Sequence, residues 1–308
     1  MSTYNESIYE LNASIDSILN QSYSDFEFII VLDNPENREI KNLLETKSLK
    51  DPRVQIIINE ENIGLARSLN RAISLSKGVY IARMDADDIS LPDRFKKQVN
   101  FLENNKEYSV VATNRVDIDE KGVELNTNHI VINNMKVMKK IFKYSNIITH
   151  PSVMFRKEMI SELKGYQLFD AAQDYDLWLR ALKKDYKIYI LPTVLIKYRI
   201  REKSISNSNV AKQHACMMYA RYLNNNDNMC YSKKGYISFL KKIKLYETKD
   251  KNRYNLAYDI IFNTNYKSKY QKFLYIFKSF FTNNNIINYF IKSKIRDYLL
   301  RKYNEYPN

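Results

Sequence analysis

The stretch Gly78-Val79-Tyr80-Ile81-Ala82-Arg83-Met84-Asp85-Ala86-Asp87-Asp88-Ile89-Ser90-Leu91-Pro92 decides the fold. Gly78–Ala82 is a short apolar run with the pattern of a buried strand. It empties into three carboxylates, Asp85, Asp87 and Asp88, and then into an amphipathic pattern over Leu91–Leu102 opened by Pro92. Open α/β sheets hold their ligands beyond the carboxyl ends of their strands, where such a cluster stands. Working outward, Ile8–Leu19 has helical apolar spacing, with Ile8, Leu11, Ile15, Ile18 and Leu19 on one face. Phe26–Leu32 reads as a buried strand ending at Asp33, and Val54–Ile58 as another, entered by Asp51-Pro52. Ile63–Leu75 is a further amphipathic helix and Ser109–Thr113 a further strand. Strands alternating with helices at these lengths predict an α/β class with a mainly parallel sheet covered on both faces. No internal repeat is present.

Hard oxygen ligands at a strand end suit Mg²⁺ or Mn²⁺, above all when a substrate's phosphates complete the shell. The same acids ahead of Ile89-Ser90-Leu91-Pro92 also serve as a helix N-terminal cap, and an Asp-x-Asp alone is common by chance.

Composition narrows the classes. Hydrophobic residues make up 44% of the 308 and charged residues 27%, enough for a packed core. With 5 Gly and 6 Pro the chain is neither collagen-like nor Pro-rich. No apolar run approaches the roughly 20 residues that cross a bilayer. MSTYNESIYE has neither the basic nor the apolar region of a signal peptide. Cys216 and Cys230 build no disulfide framework or zinc site, which points to a reducing, cytoplasmic setting. Residues 1–200 hold 28 Lys+Arg and 28 Asp+Glu, whereas residues 201–308 hold 21 and 7. The whole excess of +14 therefore lies in the last third. That break sets an expected boundary between a domain over residues 1–206 and a basic, aromatic-rich helical tail over residues 207–308. An anionic partner or a compositional bias of the genome explains the asymmetry equally well.

Several short motifs occur in a fixed order: Met1–Glu6, Ser17–Ser22, Phe26–Asp33, Asn62–Asn70 and Ala82–Asp88. They are followed by His150-Pro-Ser-Val-Met-Phe-Arg156, Gly165-Tyr166, Gln173-Asp-Tyr-Asp-Leu-Trp178 and Tyr198–Ser206. Together they resemble the family 2 glycosyltransferases, and within them the bacterial capsule and exopolysaccharide enzymes of the amylovoran type. The resemblance covers about residues 1–206. It implies a GT-A (Rossmann-like) fold with a nucleotide-sugar half over residues 1–115 and an acceptor half over residues 116–206. It implies an inverting, metal-dependent transfer of a hexose-type sugar from a nucleotide-sugar, a UDP-sugar first of all. The acceptor would be a growing surface polysaccharide or lipid-linked glycan at the inner face of the cell membrane.

Residue by residue, the resemblance makes Thr3, Tyr4 and Glu6 part of the donor pocket. Tyr4 stacks on the base in that reading and is an ordinary half-buried aromatic in the other. Asp33 matches the carboxylate that reads the uracil N–H, or is a turn former before Asn34-Pro35. Relatives often have Asp-Asp-Gly-Ser where this chain has Leu32-Asp33-Asn34-Pro35. Arg67 is expected to reach the diphosphate, or to be a surface helix residue. Asp85 is expected on the ribose or the Mn²⁺ or Mg²⁺ ion, and Asp87 on the ion. Asp174 matches the general base, and the alternative makes Asp174 and Asp176 first-turn helix acids favoured by the macrodipole. Trp178 walls the acceptor site or anchors the core, and His150 lines the cleft or sits in a turn. Tyr198-Arg199 and Ser204 match a loop that closes over the diphosphate. Relatives often carry His where Arg201 stands. Arg cannot ligate a metal but can pair with phosphate, which leaves the third protein ligand open.

Two features fall outside the motifs. The family has a buried strand ahead of the position of Met1, so the first strand is expected to be truncated. In the tail, Tyr236–Tyr246 and Lys272–Phe281 combine aromatics with Lys at helical spacing. They fit an anionic membrane surface, or a helical subdomain that packs its aromatics on itself. No nucleic-acid-binding signature is present. A nucleotidyltransferase would show a Gly-rich basic phosphate loop near the N-terminus, and none occurs. The other alternative is a catalytically impaired binding or scaffold protein on the same fold.

Overall fold

The computed structural model describes residues 1–201, 210–226, 229–258 and 284–304. The donor half is a three-stranded parallel sheet, β1 (Ser2–Thr3), β2 (Phe28–Leu32) and β3 (Val54–Ile58), paired in that order. All five residues of β2 are buried, which is why it reads as a continuous apolar run. Its cover is α1 (Ile8–Leu19), α2 (Arg38–Lys50) and α3 (Leu65–Leu75). Leu11, Ile15 and Ile18 of α1 pack with Ile30 and Leu32 of β2 and with Ile40 and Leu44 of α2. Helix α1 starts at a Ser-x-x-Glu cap: the Glu10 amide donates to Ser7 Oγ, and that hydroxyl donates to Glu10 Oε2 at 2.6 Å.

The second sheet holds β4 (Tyr80–Ala82), β5 (Ile89–Ser90), β6 (Tyr108–Ile118), β7 (Glu124–Asn128), β8 (Met154–Arg156) and β9 (Lys187–Arg199). Its order is β4-β8-β6-β9-β5, with β7 on β6. Here the expected mainly parallel sheet gives way to a mixed one. Only β6 and β9 run parallel, whereas β4·β8, β6·β8, β5·β9 and β6·β7 are antiparallel. An apolar run reports burial and not strand direction, so the sequence pattern carried no signal for this.

Helix α4 (Arg94–Asn104) lies against β6 and brings a fully buried Arg94 under the sheet. Its Nη2 donates to the carbonyls of Arg83 (2.6 Å) and Val153 (3.1 Å), tying the ends of β4 and β8 together. The acceptor half adds α5 (Met135–Phe142), a 3₁₀ turn at His150–Ser152, α6 (Lys157–Glu162) and α7 (Gln173–Lys183).

Of the tail, the described helices are α8 (Val210–Asn224), α9 (Lys233–Lys242), α10 (Thr248–Tyr258) and α11 (Asn284–Tyr303). Helix α8 packs on α7, and Cys216, Tyr219 and Ala220 join the apolar core around Trp178 and Leu182. Tyr219 contacts Tyr231, Tyr236 and Phe239, so of the aromatics of Tyr236–Tyr246 the first two pack inward while Tyr246 stays exposed. Lys272–Phe281 lies outside the described residues. Among the described residues no helix is long and apolar enough to cross a membrane.

A cavity of about 740 Å³ opens between the two sheets, lined among others by Met1, Phe28, Ile29, Tyr80, Ile81 and Ala82. It lies in line with the two-residue β1. Met1 lines it, and its buried amino group donates to Ile29 O at 2.9 Å.

Candidate active site

Strands β1, β2 and β4 deliver Thr3–Glu6, Asp33 and Arg83–Asp88 beyond their carboxyl ends. Within the first loop, Thr3 Oγ1 and the Tyr4 amide donate to Glu6 Oε2 at 2.5 and 2.8 Å. The Tyr4 ring remains 43% exposed and available for stacking. Asp33 is tied to this loop through its own amide, which donates to Thr3 O at 2.9 Å. Its carboxylate is buried and already engaged. Oδ1 accepts from Asn59 Nδ2 (2.7 Å) and the Ile63 amide (2.9 Å), and Oδ2 accepts from the Gly64 amide (2.9 Å). Asp33 thus shapes the turn into α3, where Gly64 takes φ +84°. Arg67, on the first turn of that helix, is exposed and bonds Ile63 O at 3.2 Å.

The acidic loop gives two of its three carboxylates a guanidinium and the third a backbone amide. Asp85 forms an ion pair with Arg83. Asp87 Oδ2 lies 3.1 Å from Arg201 Nη2. Asp88 is buried and accepts the Arg199 amide at 2.8 Å through Oδ1, leaving Oδ2 without a hydrogen-bond partner. Burial, then the charge of Asp85, pushes the Asp87 carboxyl up to about 6 against the opposing pull of Arg201. Asp88 is raised well above the carboxylate range by burial and by the charges of Asp85 and Asp87.

Arg199 does not stand on a flexible loop. It is the last residue of β9 and 4% exposed. Its guanidinium donates to the carbonyls of Asp87, Asp119 and Glu120, each at 2.9 Å, so it fixes the acidic loop from behind. Strand pairing with β6 takes it out of solvent, an effect that local sequence does not carry. Ser204 lies outside the described residues.

The other wall comes from α7 and the segment before it. Asp174 is in the first turn of α7, where Asn146 Nδ2 donates to its Oδ2 at 2.7 Å. Burial raises its carboxyl above the usual range, while the Tyr175 amide, Arg83 and Asn146 pull the other way. Asp176 is buried and structural: it accepts Arg180 Nε at 2.8 Å, and Arg180 then donates to the carbonyls of Leu163 and Gly165. His150 and Tyr166 share a hydrogen bond of 2.8 Å from His150 Nε2 to the phenol oxygen. Burial, then Arg83, holds His150 well below its ordinary value and hence neutral. The amide and carbonyl of Tyr166 are both held by the Asn70 side chain at 2.8 Å, which docks α3 on this wall.

Of the two readings of Trp178, wall of the acceptor site or anchor of the core, its position agrees with the second. It is fully buried, with its ring against Phe155 at 6.3 Å and His150 at 6.5 Å between centroids. One face of α7 is the core face, and Trp178 belongs to it. It backs His150 without reaching the surface.

Arg83 joins the two walls. Its guanidinium is 5% exposed, pairs with Asp85, and lowers the proton affinity of Asp87, Asp88 and Asp174. Arg83 belongs to none of the roles expected from the motifs, although a charged residue directly after an apolar strand and before an acidic cluster is a usable signal. The second missed residue is Glu10. Its Oε2 accepts Arg201 Nη2 at 2.9 Å, and its Oε1 lies 3.5 Å from Arg199 Nε.

The donor set suits a hard divalent cation only in part. Asp85 and Asp87 are the right chemistry, but among the described residues no group of three or more His, Cys, Asp or Glu is arranged to hold a metal ion. Outside ligands such as phosphate oxygens and water would have to complete the shell.

The model of the Glycosyl transferase family 2 matches residues 1–164. WbnJ of Escherichia coli, an O-antigen biosynthesis glycosyltransferase, is 38% identical over 213 residues, covering 68% of this chain and 82% of WbnJ. AmsE of Erwinia amylovora, an amylovoran biosynthesis glycosyltransferase, is 30% identical over 200 residues, covering 65% of this chain and 74% of AmsE. Among solved structures, S. aureus TarS 1-349 in complex with UDP-GlcNAc superposes with a TM-score of 0.60 at 14% identity. That superposition covers 92% of this chain and 80% of the other, and it places the fold in the GT-A type.

Proposed function

The chain belongs to glycosyl transferase family 2, and from that premise we propose that it moves a hexose-type sugar from a UDP-sugar to a growing surface glycan with inversion. The observation that supports this reading is the buried guanidinium of Arg83, which pairs with Asp85 and lowers the proton affinity of both Asp87 and Asp174, so that the acidic loop and the start of α7 feel one charge. The bound UDP-GlcNAc of the TarS structure supports the donor class, and the names of WbnJ and AmsE support a surface polysaccharide product.

In this reading residues 1–206 are the catalytic unit, with the donor held by residues 1–115 and the acceptor by 116–206. The basic tail holds the enzyme near anionic lipid at the inner membrane face. Tyr4 stacks on the base, a contact worth roughly 1–3 kcal/mol. Arg67 reaches the diphosphate. Asp85 and Asp87 hold the Mn²⁺ or Mg²⁺ ion, which when bound supplies Lewis-acid stabilisation of the charge on the departing diphosphate. The Asp174 carboxylate takes the proton of the acceptor hydroxyl as that oxygen bonds to the anomeric carbon. Its raised proton affinity makes it a stronger base than an exposed Asp. Asn146 holds the carboxylate in one orientation for this. A base acting from the face opposite the leaving group gives inversion.

The test is calorimetry of UDP with Mn²⁺ on the wild type and Asp87→Ala, followed by a hydrolysis screen of UDP-, GDP- and TDP-sugars. Mn²⁺-dependent UDP binding that Asp87→Ala abolishes is the expected result, with turnover on a UDP-sugar. UDP binding without turnover of any donor would leave the catalytically impaired alternative in its place.

A further inference from the structure

Arg201 stands where the family resemblance expects a metal-ligating side chain, and a guanidinium cannot ligate. It is not left facing solvent. One nitrogen, Nη2, is shared between Asp87 Oδ2 at 3.1 Å and Glu10 Oε2 at 2.9 Å. The first carboxylate belongs to the acidic loop after β4 and the second to the first turn of α1. Glu10 is 9% exposed and held in place by Ser7. Asp85 has a guanidinium of its own in Arg83. Both carboxylates of the Asp-x-Asp are therefore matched by arginine.

A divalent ion entering at Asp87 meets Arg201 at contact distance. Charges of like sign a few Å apart in a partly buried site repel by an amount that shifts binding tenfold or more. Glu10 offers Arg201 a second seat that does not involve Asp87. We propose that Arg201 is the chain's own counter-ion for Asp87, that it and a divalent cation compete for this carboxylate, and that Glu10 is the positioning residue that retains Arg201 when the cation enters. The inference rests on the reading of Asp87 as a cation ligand. It makes cation binding in this chain depend on a two-carboxylate exchange of one arginine.

The experiment is a double-mutant cycle on the full chain, with Mn²⁺ alone titrated by calorimetry into the wild type, Arg201→Ala, Glu10→Gln and the double variant. Circular dichroism confirms that each is folded. UDP binding at saturating Mn²⁺ is measured in parallel. Arg201→Ala is expected to bind Mn²⁺ about tenfold tighter. Glu10→Gln removes the second seat and is expected to bind Mn²⁺ several-fold weaker. In the Arg201→Ala background the Glu10→Gln effect is expected to disappear, because it acts through Arg201. Unchanged or weaker binding by Arg201→Ala overturns the proposal, as does a Glu10→Gln effect of the same size in both backgrounds, the sign of simple long-range charge. Should Arg201→Ala fail to fold, Glu10→Gln alone decides: Mn²⁺ affinity equal to or above wild type overturns it. Loss of UDP binding with the Mn²⁺ pattern intact refutes the donor reading and leaves this inference standing.

Discussion

The guanidinium of Arg83, buried at the end of β4 and paired with Asp85, pulls down the proton affinity of Asp174 at the start of α7. Its effect opposes the desolvation that raises Asp174.

The pH profile of turnover reads this link. A base works only when ionised, so activity falls as pH drops through the Asp174 pKa. Arg83→Gln removes the opposing cation and is expected to move the acid limb to higher pH. Arg83→Lys keeps the charge and is expected to keep the limb near its wild-type position. Identical acid limbs for wild type and Arg83→Gln would separate Arg83 from Asp174.

Asp87 carries a cost to stability that its function explains. Its carboxyl is pushed up to about 6 in the fold, above the unfolded value near 3.9. A group with a raised folded pKa favours the folded state below its unfolded pKa and loses that contribution as pH rises through the folded pKa. Asp87→Asn is therefore expected to melt higher than wild type at pH 7.5. The gain should shrink as pH falls from about 7 to about 5, where wild-type Asp87 takes up its proton. A melting temperature for Asp87→Asn below wild type at pH 7.5 would contradict the assignment.

The cavity between β2 and β4 separates the two sheets. An engineered chain with five apolar β-branched residues ahead of Met1 is expected to fill it as a strand continuing β1. Burying apolar surface at about 25 cal/mol per Å² should raise the melting temperature by a few degrees. A Gly/Ser extension of the same length serves as control. Equal melting temperatures for the two extensions would show that the cavity takes no strand.

Much of this was legible in the sequence, and the failures have physical causes. Helix α1 and strand β3 fall where their apolar spacing puts them, because each presents one face or run to a core. Helix α2 went unread: only Ile40 and Leu44 are buried on it, too thin a stripe to register. The acidic loop and Asp174 were found through motif order. Trp178 was legible as a core anchor, whereas the burial of Arg199 was not, since pairing of β9 with β6 decides it. Glu10 was missed because its role rests on Arg201, far along the chain, whereas Arg83 was missed although its partner Asp85 stands two residues away.

Gly165 tests the docking of α3 on the acceptor wall. It takes φ +75°, and a Cβ there would stand 2.5 Å from Asn70 Oδ1, the atom that receives the Tyr166 amide. Gly165→Ala is expected to lose about 1–3 kcal/mol of stability in denaturant unfolding. A loss under about 0.5 kcal/mol would mean that the Asn70–Tyr166 clamp yields freely.

The most direct test of the account measures UDP binding and sugar transfer side by side in Asp87→Ala and Asp174→Asn. The account predicts a split. Asp87→Ala loses Mn²⁺-dependent UDP binding, whereas Asp174→Asn binds UDP like wild type and transfers sugar about 10²–10⁴-fold more slowly. Asp174→Asn with wild-type transfer, or Asp87→Ala with wild-type Mn²⁺-dependent binding, would contradict the placing of these two carboxylates across one catalytic cleft.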